Sequence, residues 1–184
     1  MFELRAASLA DTCAIAAVLA ELSRPGDLIV LSGEMGAGKT AFAKGFGAAL
    51  GVTEPITSPT FTLVHTYDIG AGLGRGAKAL HHADLYRLDR TAEVADLALE
   101  ELAEYQGIVL IEWGEVADAL FGEHLVVHLE SDVFADDDLA DAADAADAAD
   151  AVADTARLIE ISASGASWAS RWGRLVEACE AYRC

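Results

Sequence analysis

The apolar positions of this chain recur with two spacings, one typical of amphipathic helices and one of short buried strands. The first segment is predicted to be a short strand followed by a helix over 8–23, whose start is marked by the capping pair Ser8 and Asp11. Within this helix the apolar residues recur at intervals of three and four, so they line one face. Further helices are predicted over 39–50, 91–105 and 167–181.

Short apolar runs bounded by turn residues predict the strands. The run DLIVLS at 27–32 follows Pro25-Gly26, and the run at 107–111 is mostly β-branched. Two further pairs of strand-like runs are each joined by a loop-like segment, so we expect two antiparallel hairpins. These hairpins pair 61–68 with 79–86 and 124–130 with 157–163.

A glycine-rich segment, GEMGAGKT at 33–40, joins the strand 27–32 to the helix 39–50. In such a loop the backbone N–H groups turn inward and hold phosphate oxygens, the lysine reaches the terminal phosphates, and the threonine hydroxyl ligates Mg²⁺. The alternative is a glycine-rich turn that happens to precede Lys-Thr. The strand before the loop and the helix after it favour the phosphate site, because the helix N-terminus adds partial positive charge.

Two acids at strand ends, Asp84 and Glu112, are candidates for the chemistry of this site. In phosphate-loop enzymes an acid at the end of a buried strand beside the loop strand holds Mg²⁺ or polarises the attacking water. We therefore expect the strands 27–32 and 107–111 to be parallel neighbours or near-neighbours. For either acid, the alternative is that it only caps the turn after its strand.

Charge limits the partners that this chain can bind. The 184 residues carry a formal net charge of −19, and nine aspartates lie in 131–156, a low-complexity segment with Asp-Ala-Ala repeats and no basic residue. We predict an insert in a hairpin loop, either without a task or used as an acidic docking segment. The remaining chain is also acidic. Binding to a nucleic-acid backbone is therefore not expected unaided, because it depends on neutralisation of phosphates by Lys and Arg, and proteins or Mg²⁺·nucleotide are the expected partners.

Length and cysteine usage bound the organisation and the setting. At 184 residues the chain is predicted to be a single domain over 1–184. The cysteines, Cys13, Cys179 and Cys184, are odd in number and lack metal-ligand spacing, which favours a reduced cytoplasmic setting. The N-terminal segment has neither a basic leader nor an unbroken apolar run, so we expect no signal peptide, and we expect no membrane span.

Five motifs follow one another along the chain: GEMGAGKT, SPTFTLVHTYD, HADLYRL, LEEL and LIEWGE. In this order they strongly resemble the TsaE family, formerly called YjeE, whose members are bacterial phosphate-loop ATPases needed to make threonylcarbamoyladenosine (t6A) in tRNA. The resemblance covers about 1–130 and resumes more weakly from Arg157. The acidic insert and the glycine-rich segment at 70–79 depart from the family pattern.

For the fold, we predict an α/β architecture, a three-layer P-loop NTPase-like domain with a mixed central sheet. The resemblance implies ATP and Mg²⁺ as cofactors, with ATP and ADP as the nucleotides bound. It also implies that ATP hydrolysis drives a cycle in protein partners resembling TsaB and TsaD, of which TsaD transfers the threonylcarbamoyl group.

The resemblance further implies roles for individual residues. Lys39, Asp84 and Glu112 are the expected catalytic residues, with Thr40 and Glu112 on the metal. Asp84 matches an acid that acts in catalysis or positions the water. The expected nucleotide-binding residues are Gly33, Glu34, Met35, Gly36, Ala37, Gly38, Lys39, Thr40, Ala41, Ser58, Thr60 and Trp113.

Some of these positions carry a second interpretation. Ser58 and Thr60 lie in a switch-like segment that could sense the terminal phosphate. For Trp113, core packing and a functional role are both open. We expect His81, His82 and Tyr86 to be structural.

Two other functions use the same loop. A small-molecule kinase would need an acceptor pocket, and such sites often carry an arginine-rich lid. Arginines here are few and scattered, at Arg75, Arg87 and Arg90, which argues against a kinase. A nucleotide-sensing scaffold without turnover is the remaining alternative.

Overall fold

A mixed seven-stranded sheet organises the part of the chain that the computed structural model describes, residues 1–88, 91–115, 120–132 and 156–184. The strands are β1 Phe2–Ala6, β2 Leu28–Ser32, β3 Val64–Asp68, β4 Ala79–Asp84, β5 Gly107–Glu112, β6 His124–Ser131 and β7 Arg157–Ser164. The helices are α1 Leu9–Leu22, α2 Lys39–Ala49, α3 Thr91–Ala95, α4 Leu99–Glu104 and α5 Ala169–Ala178.

The strand order is β1-β7-β6-β2-β5-β4-β3. The central four strands are parallel, because β2 pairs in parallel with both β5 and β6, and β4 pairs in parallel with β5. The outer pairs β1–β7, β6–β7 and β3–β4 are antiparallel. The prediction that 27–32 and 107–111 are parallel neighbours is confirmed, and so are the two antiparallel pairs.

Alternate residues of the central strands face two separate cores, as the period of a strand requires. In β2, Ile29 and Leu31 join the core beneath α1, α2 and α5, whereas Leu28 and Val30 join the core beneath α3 and α4. Both faces of the sheet are thus covered by helices. The predicted three-layer α/β fold with a mixed central sheet is confirmed.

The long helix predicted over 91–105 is wrong, because the chain forms two short helices there. Ala98 adopts a left-handed conformation with φ 49° between α3 and α4. Val94 and Leu99 are both buried against the same core, although five residues of one continuous helix would turn them apart by about 140°. The break lets both side chains pack on the sheet. The other three helices agree with prediction to within a few residues, and Ser8 caps α1 by accepting from the Asp11 N–H at 3.2 Å.

The hairpin predicted as 61–68 with 79–86 is confirmed in pairing but is shorter at its open end, where β3 begins at Val64 and β4 ends at Asp84. The chain before β3 is a turn, in which the Leu63 N–H donates to the Pro59 carbonyl at 2.7 Å and Leu63 has φ 64°. The Asp84 N–H then donates to the Leu63 carbonyl at 3.0 Å. This turn therefore lies over the end of β4 instead of extending β3.

The acidic insert predicted at 131–156 lies mostly outside the described residues. Its described ends belong to one hairpin, since β6 and β7 are antiparallel and the Asp132 N–H donates to the Ala156 carbonyl at 2.9 Å. The single-domain organisation over 1–184 stays a prediction.

A buried ion pair ties α5 to the start of β2. The Arg171 guanidinium donates to both carboxylate oxygens of Asp27, at 2.5 and 2.8 Å, and also to the Leu22 and Ser167 carbonyls. Its Cζ lies 3.9 Å from the centroid of the Trp168 ring. Because Asp27 immediately precedes β2, this clamp fixes the strand that leads into the glycine loop.

Candidate active site

The glycine loop leaves the carboxyl end of β2 and ends at Gly38, the N-cap of α2. Gly38 has φ 104°, and a Cβ atom there would lie 2.7 Å from the Arg157 Nε. Gly33 has φ 128°, and a Cβ there would collide with the Leu129 carbonyl oxygen. Both positions therefore require glycine, for backbone conformation and for space. The amino end of α2, an eleven-residue helix, thus follows directly on the loop. The first N–H groups of a helix have no partner within the helix, so they favour an anion at this position.

Lys39 folds back over its own loop. Its Nζ donates to the Gly33 carbonyl at 2.6 Å and the Glu34 carbonyl at 2.9 Å, and lies 3.5 Å from the centroid of the Trp113 ring. The side chain is buried, and burial lowers the pKa of the ammonium below its ordinary value although nearby carboxylates act in the opposite direction. Lys39 is thus a desolvated cation held by partners that a phosphate could replace.

Thr40 and Glu112 meet at the floor of the cleft. The Thr40 Oγ1 lies 2.9 Å from one carboxylate oxygen of Glu112 and 3.0 Å from the other. Glu112 ends β5 and is 3% exposed, and β5 is the parallel neighbour of the loop strand. Parallel pairing of β2 and β5 therefore brings a hydroxyl from the first turn of α2 and a strand-end carboxylate together.

Asp84 ends β4 and is bonded to the switch-like segment. One carboxylate oxygen accepts from the Ser58 hydroxyl and from the Thr60 hydroxyl, the latter at 3.0 Å, while the other accepts from the Tyr86 N–H at 3.0 Å. The two hydroxyls also lie 2.8 Å apart. Asp84 thus holds the turn that contains Ser58 and Thr60 against the carboxyl end of β4.

Trp113 follows the acid in an uncommon backbone conformation, with φ 61°. Its N–H donates to the Leu31 carbonyl at 3.0 Å, and its ring lies against Lys39 on one side and 5.1 Å from the Tyr86 ring centroid on another. A non-glycine residue in this region costs free energy and is typical of functional sites. Trp113 therefore lines the site as well as packing in it.

These residues share one cleft of about 600 Å³. Most of the residues expected in the site line this cleft, namely Met35, Gly36, Gly38, Lys39, Thr40, Ala41, Ser58, Thr60, Asp84, Glu112 and Trp113. Gly33, Glu34 and Ala37 build the loop without lining the cleft. Residues that were not expected also line it, namely Leu9, Cys13, Lys44, Tyr86 and Arg157.

Arg157 is the main contact that sequence reasoning missed. It begins β7, is 2% exposed, and donates its Nε to the Ala37 carbonyl at 3.0 Å. The two residues are 120 positions apart, and no motif around Arg157 marks it. Only the sheet order could have indicated this contact. Because β7 is antiparallel to β6 and β6 is parallel to β2, β7 begins at the end of the sheet where β2 leads into the loop.

The oxygen donors of this cleft fit a small divalent cation. A hydroxyl and a carboxylate are the ligand types that Mg²⁺ prefers, and Mg²⁺ commonly takes only one or two protein ligands together with substrate phosphates. Within the described ranges, no group of three or more His, Cys, Asp or Glu residues is arranged to hold a metal. The donor set therefore suits a cation bound together with a nucleotide.

Residues 6–138 match the family model of the threonylcarbamoyl adenosine biosynthesis protein TsaE, which is more than half of the chain. The chain belongs to the TsaE family. The resemblance carried by the five motifs is therefore confirmed.

Relatives of the same description come from several bacteria. Over 108 residues the chain is 41% identical to the tRNA threonylcarbamoyladenosine biosynthesis protein TsaE of Bacillus subtilis, covering 59% of this chain and 63% of that protein. The TsaE of Treponema pallidum is 38% identical over 119 residues, covering 65% and 83% of the two chains. The TsaE of Mycobacterium leprae is 40% identical over 136 residues, covering 68% and 80%.

A solved structure has the same fold. The crystal structure of YdiB from Bacillus subtilis superposes with a TM-score of 0.66 at 29% identity, covering 97% of this chain and 93% of that chain. This likeness supports a P-loop-like fold for the TsaE-family chain. No helix among the residues described is long and apolar enough to cross a membrane.

Proposed function

We propose that this TsaE-family protein is an ATP hydrolase that uses Mg²⁺ and supports t6A modification of tRNA through partners resembling TsaB and TsaD. The observation that carries the proposal is the contact of the Thr40 hydroxyl with both oxygens of the Glu112 carboxylate. It supplies two oxygen ligands at the amino end of the helix that follows the glycine loop. A chance glycine turn would have no reason to meet an acid from another strand.

In the proposed reaction the loop N–H groups hold the phosphates of ATP, and Lys39 exchanges the Gly33 and Glu34 carbonyls for phosphate oxygens. Thr40 and Glu112 would hold Mg²⁺, which would neutralise the charge of the phosphate oxygens when it is bound. The positive charge of Lys39 adds to this stabilisation in a site where the side chain is already desolvated.

Asp84 is suited to position groups more than to remove a proton. Its carboxylate accepts from two hydroxyls and one backbone N–H, so both of its oxygens are already engaged in holding neighbouring groups in place. We therefore assign to Asp84 the placement of Ser58 and Thr60, whose hydroxyls face the same cleft. Through them it would orient the attacking water.

The protein's acidity supports a role that acts on proteins and not directly on tRNA. With a net charge of −19, the chain lacks the excess of Lys and Arg that binding to a nucleic acid backbone requires. A kinase site often carries an arginine-rich lid, and neither Arg75 nor Arg87 lines the cleft, where Arg157 is the one arginine among the described residues. Arg75 donates to the Glu21 carbonyl and Arg87 stacks over Phe61, while Arg90 lies outside the described residues.

Phosphate release from ATP tests the proposal, measured with and without Mg²⁺ and with and without the TsaB and TsaD homologues. The wild-type protein should release phosphate, and Lys39→Met should reduce the rate about a hundredfold or more, because the cation at the phosphates is lost. Lys78→Met is the matched control, since Lys78 is exposed in the β3–β4 hairpin, and should keep the rate.

The outcomes separate the three functions. Equal rates in wild type and in a folded Lys39→Met protein would contradict the site assignment. Transfer of phosphate only to an added small-molecule acceptor would favour a kinase. Nucleotide binding with no release under any condition would leave a nucleotide-sensing scaffold.

A further inference from the structure

His82 forms a buried contact with the acid of the cleft. The imidazole is fully buried on β4, and its Nε2 lies 2.9 Å from a carboxylate oxygen of Glu112. His82 stands two positions before Asp84, which pairs in register with Glu112, so all three side chains lie on one face of the sheet. That face is covered by α2, the helix that carries Thr40.

In the contact between His82 and Glu112, the histidine is the hydrogen-bond donor. An ionised carboxylate only accepts hydrogen bonds, so the Nε2 of His82 carries the hydrogen and donates it. The other ring nitrogen, Nδ1, is buried and has no hydrogen-bond partner among the described residues. The Glu112 contact is therefore the one polar bond that holds the imidazole within this part of the chain.

Thr40 cannot hold the Glu112 carboxylate in place both with and without bound Mg²⁺. It is the other donor to Glu112, but it is also a proposed metal ligand, so its bond to Glu112 competes with its bond to the cation. His82 approaches Glu112 from the buried β4 strand and lies outside the lining of the cleft. Its bond to Glu112 has no such competition.

We infer that His82 is a positioning residue for the metal site, one that aims the Glu112 carboxylate at the Thr40 side of the cleft. This inference rests on the proposed function, because it assumes that Thr40 and Glu112 hold Mg²⁺. Groups that orient a metal ligand in this way commonly change metal affinity about 10–100-fold when they are replaced. His82 therefore sets how much Mg²⁺ strengthens nucleotide binding.

The adjacent histidine provides a matched control. His81 lies on the same strand, is also buried, and its Nδ1 is 2.9 Å from the Thr66 hydroxyl on the opposite face. The two histidines share their strand, their size and nearly their burial. They differ in the contact with Glu112.

The test is calorimetric titration of ATP into the full-length protein, with Mg²⁺ and with EDTA, for wild type and four variants. His82→Leu keeps the bulk and removes the donor, and His82→Asn has an amide too short to reach Glu112. His82→Gln places its amide nitrogen near the position of Nε2 and should rescue the contact. His81→Gln is the control, and circular dichroism with thermal melting checks the fold of each variant.

In wild type, His82→Gln and His81→Gln, Mg²⁺ should strengthen ATP binding by similar factors. In His82→Leu and His82→Asn that factor should fall about 10–100-fold, while affinity in EDTA stays within about twofold. A full Mg²⁺ effect in either folded variant would overturn the positioning role and leave the proposed function standing. If His82→Leu does not fold, His82→Asn decides. No Mg²⁺ effect in wild type would overturn the metal site itself, and the role of His82 with it.

Discussion

Asp84 and Glu112 lie side by side at the carboxyl ends of β4 and β5, paired in register, yet they share no hydrogen-bonding partner among the residues described. Glu112 is bonded to Thr40 in the first turn of α2, whereas Asp84 is bonded to Ser58 and Thr60 of the turn before β3. Both residues are 3% exposed. Asp84 and Glu112 therefore differ in their hydrogen-bonding partners and not in their burial, and the partners indicate different roles for the two acids.

This division predicts two distinct defects. Glu112→Ala should remove the metal-dependent part of ATP affinity, a charge-assisted contact of about 1.5–3 kcal/mol. Asp84→Asn should keep Mg²⁺-dependent binding and lose turnover, because an amide cannot accept all the bonds that hold the turn of Ser58 and Thr60. Titration of ATP with and without Mg²⁺, beside phosphate release, measures both effects. If Asp84→Asn loses the response to Mg²⁺ and Glu112→Ala keeps it, the two roles are reversed.

The buried Lys39 predicts a pH-dependent stability in the nucleotide-free protein. Its pKa is lowered by burial, so between the folded and the ordinary value near 10.5 the unfolded chain binds more protons than the folded one. Stability from this group therefore rises as the pH rises through that window. Thermal melting of wild type and Lys39→Met from pH 7 to pH 10 should show Tm of the variant, relative to wild type, falling as pH increases. A difference that is constant with pH would contradict this. Lys78→Met, at an exposed position, is the control.

The Asp27–Arg171 pair predicts a large stability effect far from the chemistry. Asp27→Ala should lower the free energy of unfolding by about 3–5 kcal/mol, because it leaves the buried Arg171 guanidinium without its carboxylate. Urea unfolding measures the loss, and the double variant Asp27→Ala/Arg171→Met should lose less than the sum of the single changes. Arg5→Met removes the exposed pair with Asp132 and should cost less than about 1 kcal/mol. Equal losses at the two pairs would show that Asp27 is not a clamp.

Deletion of 134–152 is predicted to leave ATP affinity and Tm nearly unchanged. A segment of Asp and Ala has little apolar area to bury, and shortening a closed loop changes its closure free energy by only about a kcal/mol. The deletion keeps 133 and 153–155 between Asp132 and Ala156, a length that suits a hairpin. ATP titration and thermal melting of the shortened protein provide the test. A large loss of affinity would show that the insert acts on the site.

Sequence patterns identified most of the fold because each signal was local. The strands β2 and β5 were evident as apolar runs between turn residues, and the glycine loop was evident from its spacing. The break between α3 and α4 was not evident. It depends on Val94 and Leu99 packing on one sheet face, and no residue near Ala98 marks a helix end.

The sequence by itself determined the loop, the strand-end acids and the family, because phosphate binding by backbone N–H groups needs glycines at fixed spacing in one short segment. Only the tertiary structure decided which acid meets Thr40, which meets the turn of Ser58 and Thr60, and that Arg157 reaches the Ala37 carbonyl. These contacts join residues that are 24 to 120 positions apart. Strand order and strand register set the distances between these residues, and packing across the whole sheet fixes both the order and the register. No local sequence pattern could therefore have predicted these contacts.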